Sequence, residues 1–275
     1  MPGVHPRLPS SPVGAELPAM PELSAPTGPG GSKDIQVCRL LAYAGAMRLL
    51  GVLGGMSWTS TAEYYRLLNR GVAQRLGGLH SARLLLHSVD FGPVADMQHD
   101  GDWDGTAKVL VEAAQGLERA GAEGLLVATN TMHKVADEVT GATGIPLLHI
   151  ADATARRVLA DGRRTVGLLA TAFTMEQDFY TGRLRDLGLE VLVPEEDERA
   201  DVHRIIYDEL VLDVVRDDSR DRYREVMAAL TDRGAEGIIL GCTEIGLLVG
   251  EQDSPVPLYD TTAIHVDEAV DWMLA

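Results

Sequence analysis

The chain is short of the residues that build several common kinds of site. It has two cysteines in 275 residues, Cys38 and Cys242, and no Cys-x-x-Cys pair, which excludes a disulfide scaffold and a zinc framework of thiolates. Its eight histidines form no His-Glu-x-x-His or other close ligand pair, so no metal is expected. There is no Gly-x-Gly-x-x-Gly and no Walker loop to cradle a phosphate-bearing cofactor, and no cofactor is expected. No apolar run approaches the length of a membrane span. Basic residues are outnumbered 24 to 41, giving a net charge of −17. Such a field repels nucleic acid and anionic membranes, and neither is expected as a partner. An anionic ligand gains nothing from it either, and has to be held by local donors.

What is present is ordinary for a soluble globular chain: 45% hydrophobic and 24% charged residues, with enough length for one large domain or two small ones. Residues 1–46 stand apart. They are rich in Pro, Gly, Ser and Ala and have no sustained periodicity, which reads as a disordered tail or an upstream extension ahead of a true start at Met47. Cys38 falls in this stretch and is given no chemistry. The short apolar run at 40–46 lies behind Pro-rich sequence without a basic leader, so it does not read as a secretion signal.

After Met47 the pattern is strand, turn, helix, repeated. Arg48-Leu-Leu-Gly-Val-Leu53 is a buried strand ending in Gly54-Gly55, a tight turn. A helix is expected over 60–68, a strand over 83–89, a helix over 106–120 stopped by Gly121, a strand over 124–128 and a short strand over 147–150. Continuous apolar strands alternating with amphipathic helices indicate a parallel sheet covered on both faces.

The second half repeats the first. Gly121-Ala-Glu-Gly-Leu-Leu-Val-Ala-Thr129 matches Gly234-Ala-Glu-Gly-Ile-Ile-Leu-Gly-Cys242, and Arg48-Leu-Leu-Gly51 matches Arg164-Thr-Val-Gly167. Two pairs in the same order at nearly one offset point to duplication. Gly-Ala-Glu-Gly also reads, more plainly, as a helix stop. The fold expected is α/β with two pseudo-symmetric lobes, over 47–152 and 153–255, each a parallel sheet flanked by helices, and a segment 256–275 returning to the first lobe. Ligands of parallel α/β sheets bind beyond the carboxyl ends of the strands. Thr129 and Cys242 both lie at such ends, so facing lobes bring them to one cleft. A cysteine there suits proton transfer at carbon, because neighbouring donors or a helix N-terminus make a thiolate accessible near neutral pH. The turn Thr243-Glu244-Ile-Gly offers such a helix start.

Five motifs in order carry a resemblance. Gly54-Gly55-Met56-Ser57-Trp58, Thr129-Asn130-Thr131-Met132-His133, Thr171-Ala-Phe-Thr174, Gly241-Cys242-Thr243-Glu244 and Tyr259-Asp-Thr-Thr262 resemble those of the aspartate/glutamate racemases, over about residues 47–275. The resemblance implies racemisation without pyridoxal phosphate, on aspartate or glutamate, in a homodimer. It implies that Cys242 takes the α-proton of the L-enantiomer and that Thr129 serves the opposite face. Met56, Ser57, Ser88, Asn130, Thr131, Thr171, Thr174, Thr243 and Glu244 would hold the substrate. Small hydroxyl residues and turn amides at strand ends form donor-rich nests for a carboxylate, although Ser and Thr in such turns also serve as helix caps.

The chain departs from the family in two places. Thr129 stands where a first cysteine is usual, which excludes a symmetric two-thiol mechanism and resembles a Thr/Cys branch acting on L-aspartate and L-glutamate. The loop His87-Ser88-Val89-Asp90-Phe91 has no arginine, and Asp201, near Arg199 and Arg204, falls where relatives often carry lysine, so recognition of a distal carboxylate is open. His133 either tunes Thr129 or caps the following turn, and Glu244 either assists proton transfer or faces solvent. Two other readings of the scaffold stay open: a malonate-type decarboxylase using Cys242 alone, and an amino-acid-binding protein without catalysis. A pyridoxal-phosphate enzyme is disfavoured, since beyond residue 46 the lysines are Lys108 and Lys134 and there is no eightfold barrel repeat. The need for a free thiol places the expected setting in the reducing cytoplasm.

Overall fold

The computed structural model describes residues 47–275; the reading of 1–46 as a tail, and Cys38 with it, lies outside the described residues. The architecture is two four-stranded parallel sheets. The first has strands β1 (Leu50–Gly54), β2 (Leu84–Ser88), β3 (Gly124–Val127) and β4 (Leu147–Leu148) in the order β2-β1-β3-β4. The second has β5 (Thr165–Leu169), β6 (Glu190–Leu192), β7 (Ile238–Leu240) and β8 (Leu258–Asp260) in the order β6-β5-β7-β8. The two orders are the same, with β1 answering to β5 and β3 to β7. The α/β architecture of two like lobes is therefore as the sequence leads one to expect.

Strand alternation distributes the core of the first lobe. Leu50, Val52, Leu126 and Ala128 face helices α1 (Trp58–Leu76) and α11 (Thr261–Leu274), packing on Tyr64, Leu68, Val266 and Val270. Leu53, Leu125 and Val127 point the other way, onto Leu110, Ala114 and Leu117 of helix α3 (Trp103–Arg119). Both faces are covered, which is why β1 reads as an unbroken apolar run. In the second lobe Val166, Leu168 and Ile239 pack with Ile205 of α8 (Glu196–Asp208) and Tyr223, Val226 and Leu230 of α9 (Asp217–Asp232). The chain end serves both lobes, β8 closing the second sheet while α11 lies on α1 and α5 (Ile150–Ala160).

The duplication is visible in individual hydrogen bonds. Gly121 and Gly234 both end a helix at positive φ, 97° and 103°, a conformation that glycine adopts without strain. The next amides, of Ala122 and Ala235, bond back to Leu117 and Leu230, each at 3.0 Å. Glu123 then accepts from the amide of Leu49 at 2.8 Å, and Glu236 accepts from Arg164 at 2.7 Å and Thr165 at 3.1 Å. Gly-Ala-Glu-Gly is thus a helix stop and a clamp between neighbouring strands, built twice.

Helix α1 is longer than its pattern predicts. It begins at Trp58, because Ser57 caps it, accepting from the Ser60 amide at 3.2 Å, and it runs on through Gly71 to Leu76. Gly71 is where α11 crosses closely: a Cβ there would lie 2.9 Å from Val270 Cγ2. Packing outweighs the roughly 1 kcal/mol helix penalty of glycine. The helix after β2 is also split in two, α2 (Phe91–Asp100) preceding α3.

Candidate active site

The carboxyl ends of β1, β3, β5 and β7 open into one cleft of about 520 Å³, mouth included. Thr129 follows β3 by two residues and Cys242 follows β7 by two, and both line this cleft. Met56, Ser57, Asn130, Thr131, Thr171, Thr243 and Glu244 line it with them. Two residues expected there do not. Ser88 is exposed at the end of β2, and Thr174 is buried behind Thr171, hydroxyl to hydroxyl at 3.3 Å.

Close backbone approach sets the first loop. Gly55 has φ 93°, and a Cβ on it would stand 2.2 Å from the Val89 carbonyl oxygen. Its amide donates to Thr61 Oγ1 at 2.8 Å, laying the loop across the start of α1 and presenting Met56 and Ser57 to the cleft.

Asn130 is fixed from behind. Its Nδ2 donates to Thr261 Oγ1 at 3.1 Å, and that hydroxyl donates onward to the Leu240 carbonyl at 2.8 Å. The amide is thereby oriented and its Oδ1 is left buried with no partner. Such an acceptor in a cleft wall is a ready site for a donor. Thr131 and Thr171, from different lobes, stand hydroxyl to hydroxyl at 3.3 Å, together able to donate to a carboxylate.

Cys242 departs from expectation. The helix after it, α10 (Ile245–Leu248), is a single turn, and the thiol donates to Glu244 Oε2 at 2.9 Å. Burial first, and then the Glu244 carboxylate, push the thiol well above its ordinary pKa; the Glu244 and Thr243 amides pull the other way and are outweighed. The resting cysteine is therefore a neutral thiol rather than a thiolate. Glu244 is buried, not solvent-facing, and collects further donors: Thr243 Oγ1 at 2.6 Å and Ser57 Oγ at 3.1 Å. The second of these links the two lobes.

His133 lies behind the cleft rather than in it. Its Nδ1 meets the Thr129 carbonyl at 2.8 Å and its Nε2 accepts from the Ile150 amide at 3.3 Å, a pairing that suits a neutral ring protonated at Nδ1. Burial holds its pKa well below normal. It fixes the backbone of Thr129 and joins a buried cluster with His149 and His265, ring centroids 4.5 and 5.8 Å away.

Helices complete the cleft with side chains that the motifs do not contain: Phe91 and Gln98 of α2, Ile206 and Tyr207 of α8, and Val211 just beyond. They sit within amphipathic or apolar segments whose cleft-facing and core-facing positions have the same period. Arg199 and Arg204 do not line the cleft; Arg199 pairs with Glu176 at 3.1 Å and Arg204 with Glu209 at 3.3 Å. Asp201 pairs with Arg222 at 2.9 Å. Among the described residues no group of three or more His, Cys, Asp or Glu is gathered for a metal, and no helix is long and apolar enough to cross a membrane.

Two like α/β lobes thus share one small polar cleft. The family model described as Asp/Glu/hydantoin racemase matches residues 53–269, and the chain belongs to that family. Its enzymatic class is accordingly isomerase, an amino-acid racemase. A candidate Asp/Glu racemase structure from Yersinia pestis is 53% identical, covering 83% of this chain and 100% of that one, with a TM-score of 0.80. An aspartate racemase homologue from Pyrococcus horikoshii is 34% identical, covering 82% and 99%, with a TM-score of 0.74. A broad specificity amino-acid racemase from Bacillus subtilis is 23% identical over 82% of this chain and 99% of its own length.

Proposed function

We propose that this enzyme racemises an α-amino acid without a cofactor, Cys242 serving one face of the α-carbon and Thr129 the other. The observation that carries this reading is that the two residues occupy equivalent strand ends of duplicated lobes and line one cleft. The substrate ammonium donates to the unpartnered Asn130 Oδ1. The α-carboxylate accepts from Thr131, Thr171 and the turn amides. Glu244 takes the thiol proton, and the Cys242 thiolate then removes the α-proton of the L-enantiomer. The C–H electron pair moves into the carboxylate as an enediolate, whose added charge the same donors hold more strongly. Thr129, or a water it holds, returns a proton to the opposite face and is reprotonated from solvent; Cys242 keeps the α-proton as its resting thiol, and Glu244 releases the original thiol proton to solvent. The family's description points to aspartate and glutamate as substrates.

The test is α-proton exchange in D₂O, followed by NMR for a panel of L-amino acids including aspartate, glutamate and glutamine, beside Cys242→Ala. Exchange that requires Cys242 and yields the D-enantiomer is expected. Binding without exchange would leave an amino-acid-binding protein, and exchange without D-product would remove Thr129 from the reaction.

A further inference from the structure

Resting on the racemase reading, we propose that His203 is a positioning residue for the reaction: from outside the cleft, its unprotonated Nδ1 and its ring set the Thr171 turn and Tyr207, which border the substrate. One side chain reaches both. His203 Nδ1 accepts from the Ala172 amide at 3.2 Å, and the imidazole lies tilted on the Tyr207 ring, centroids 4.7 Å apart. Thr171 and Tyr207 line the cleft, whereas His203 faces a neighbouring cavity of about 670 Å³, mouth included. Gln98 and Tyr207 form the wall that the two spaces share.

Thr171 stands at the N-cap position of the short helix α6 (Ala172–Glu176), where a threonine hydroxyl ordinarily accepts from a helix amide. Here it accepts from none of them; it meets the hydroxyls of Thr131 and Thr174, each at 3.3 Å. The first amide of a helix has no partner within it, and for α6 the imidazole of α8 supplies one. His203 thus anchors the turn from behind, and the Thr171 hydroxyl is left for the cleft.

The bond requires the tautomer with a bare Nδ1 and its proton on Nε2. An imidazolium would meet the Ala172 amide donor to donor. The ionisable groups around the ring are Glu176 of α6, Tyr207 and Asp208 of its own helix, and Asp96 and His99 of α2 on the same cavity. Burial lowers the imidazole pKa, and the Glu176 and Asp208 carboxylates raise it by less; Arg199 offsets Glu176, which it pairs with at 3.1 Å. His203 is therefore an acceptor at neutral pH, and the turn loses its anchor only as pH falls below the ordinary histidine value of about 6.5.

Two substitutions separate the acceptor from the ring. His203→Asn places an oxygen where Nδ1 stands and does not titrate; His203→Phe keeps a ring against Tyr207 and offers no acceptor. Racemisation of whichever amino acid exchanges fastest in D₂O is measured from about pH 5 to 9, the range that brackets histidine titration, with thermal melting to show that each variant folds. At pH 8, His203→Phe is expected to raise KM about tenfold, the size of one lost hydrogen bond, with kcat little changed because the support acts on binding. His203→Asn is expected to keep a near-wild-type KM at pH 8 and to lose the acid-side rise in KM that the wild type shows. A wild-type KM in His203→Phe with a raised one in His203→Asn would mean that the ring only packs, and would overturn the proposal. An acid-side rise that survives in His203→Asn overturns it equally, and decides the matter alone if His203→Phe does not fold. Either result leaves the racemase standing, whereas a wild type that exchanges no amino acid overturns the racemase reading and this inference with it.

Discussion

The thiol of Cys242 donates its hydrogen bond to Oε2 of Glu244, 2.9 Å away and two residues along the chain. The same carboxylate accepts from Ser57 of the other lobe through Oε1. The carboxylate proposed to ready the cysteine is thus also a tie between the lobes.

Glu244→Gln is expected to separate these roles. Removing the negative charge relieves the repulsion that opposes thiolate, so the thiol pKa falls. Alkylation of Cys242 by iodoacetamide then reaches half its maximal rate at lower pH than in the wild type. Racemisation nonetheless falls about 10²-fold or more, the usual loss when a proton acceptor is removed. An unmoved alkylation midpoint would show that Glu244 does not control the thiol.

Thr129→Cys is expected to raise kcat from the D-enantiomer at least about tenfold, because a thiol ionises near pH 8.5 and a hydroxyl does not approach that. The backbone there is already fixed by His133, so the substitution changes the acid and leaves its position. Initial rates from each enantiomer, measured by chiral chromatography, decide it. An unchanged D-side kcat would mean that Thr129 does not set the pace.

Asn130 offers a binding test. Asn130→Leu removes the unpartnered Oδ1 and the donor to Thr261 together, and substrate affinity is expected to fall about ten- to hundredfold, in line with about 1–3 kcal/mol for an oriented bond to a charged group. Thr261→Val, which touches only the support of the amide, is expected to give a smaller rise in KM. Equal effects from both would mean that Asn130 is structural.

Three buried histidines set an acid limit on stability. Burial first, then nearby positive charge, pushes His149 and His265 down to about 3, and His133 is depressed for the same first reason. Unfolded histidines titrate near 6.5. Between those values the unfolded chain binds protons that the folded chain refuses, so stability is full above the unfolded pKa and is lost as pH falls below it. At pH 5 His149 and His265 each contribute about 2 kcal/mol of this loss. Melting temperature is expected to drop steeply from pH 7 to 5. His149→Asn keeps a helix cap in place of His149 Nδ1 and should make the drop shallower; an unchanged slope would exclude His149 as a source.

Strand ends and turns were legible in the sequence because their demands are local. The Gly-Ala-Glu-Gly pairs, the Gly54-Gly55 turn and the residues flanking Thr129 and Cys242 are each dictated by backbone geometry within a few positions. Ser88 and Thr174 misled for the same reason. They sit at turns that could cap or line equally well, and only the packing of neighbouring elements turned Ser88 outward and Thr174 inward. Phe91, Gln98, Ile206 and Tyr207 were hidden differently. A helix with one face on the core and one edge on a cleft shows a single apolar period. The ionic partners of Arg199 and Asp201 were also invisible, since Glu176 and Arg222 come from other helices.

The twin lobes put unlike groups at like places, a threonine opposite a cysteine. Racemisation itself is level: the two enantiomers of a free amino acid have the same free energy in water. Thermodynamics then requires kcat/KM to be equal in the two directions, whatever the lobes contain. A tilted pair of acids cannot make a one-way enzyme. If Thr129 slows turnover of the D-form, the enzyme must saturate with that form at a proportionately lower concentration, and would spend much of its time occupied by the enantiomer it converts more slowly.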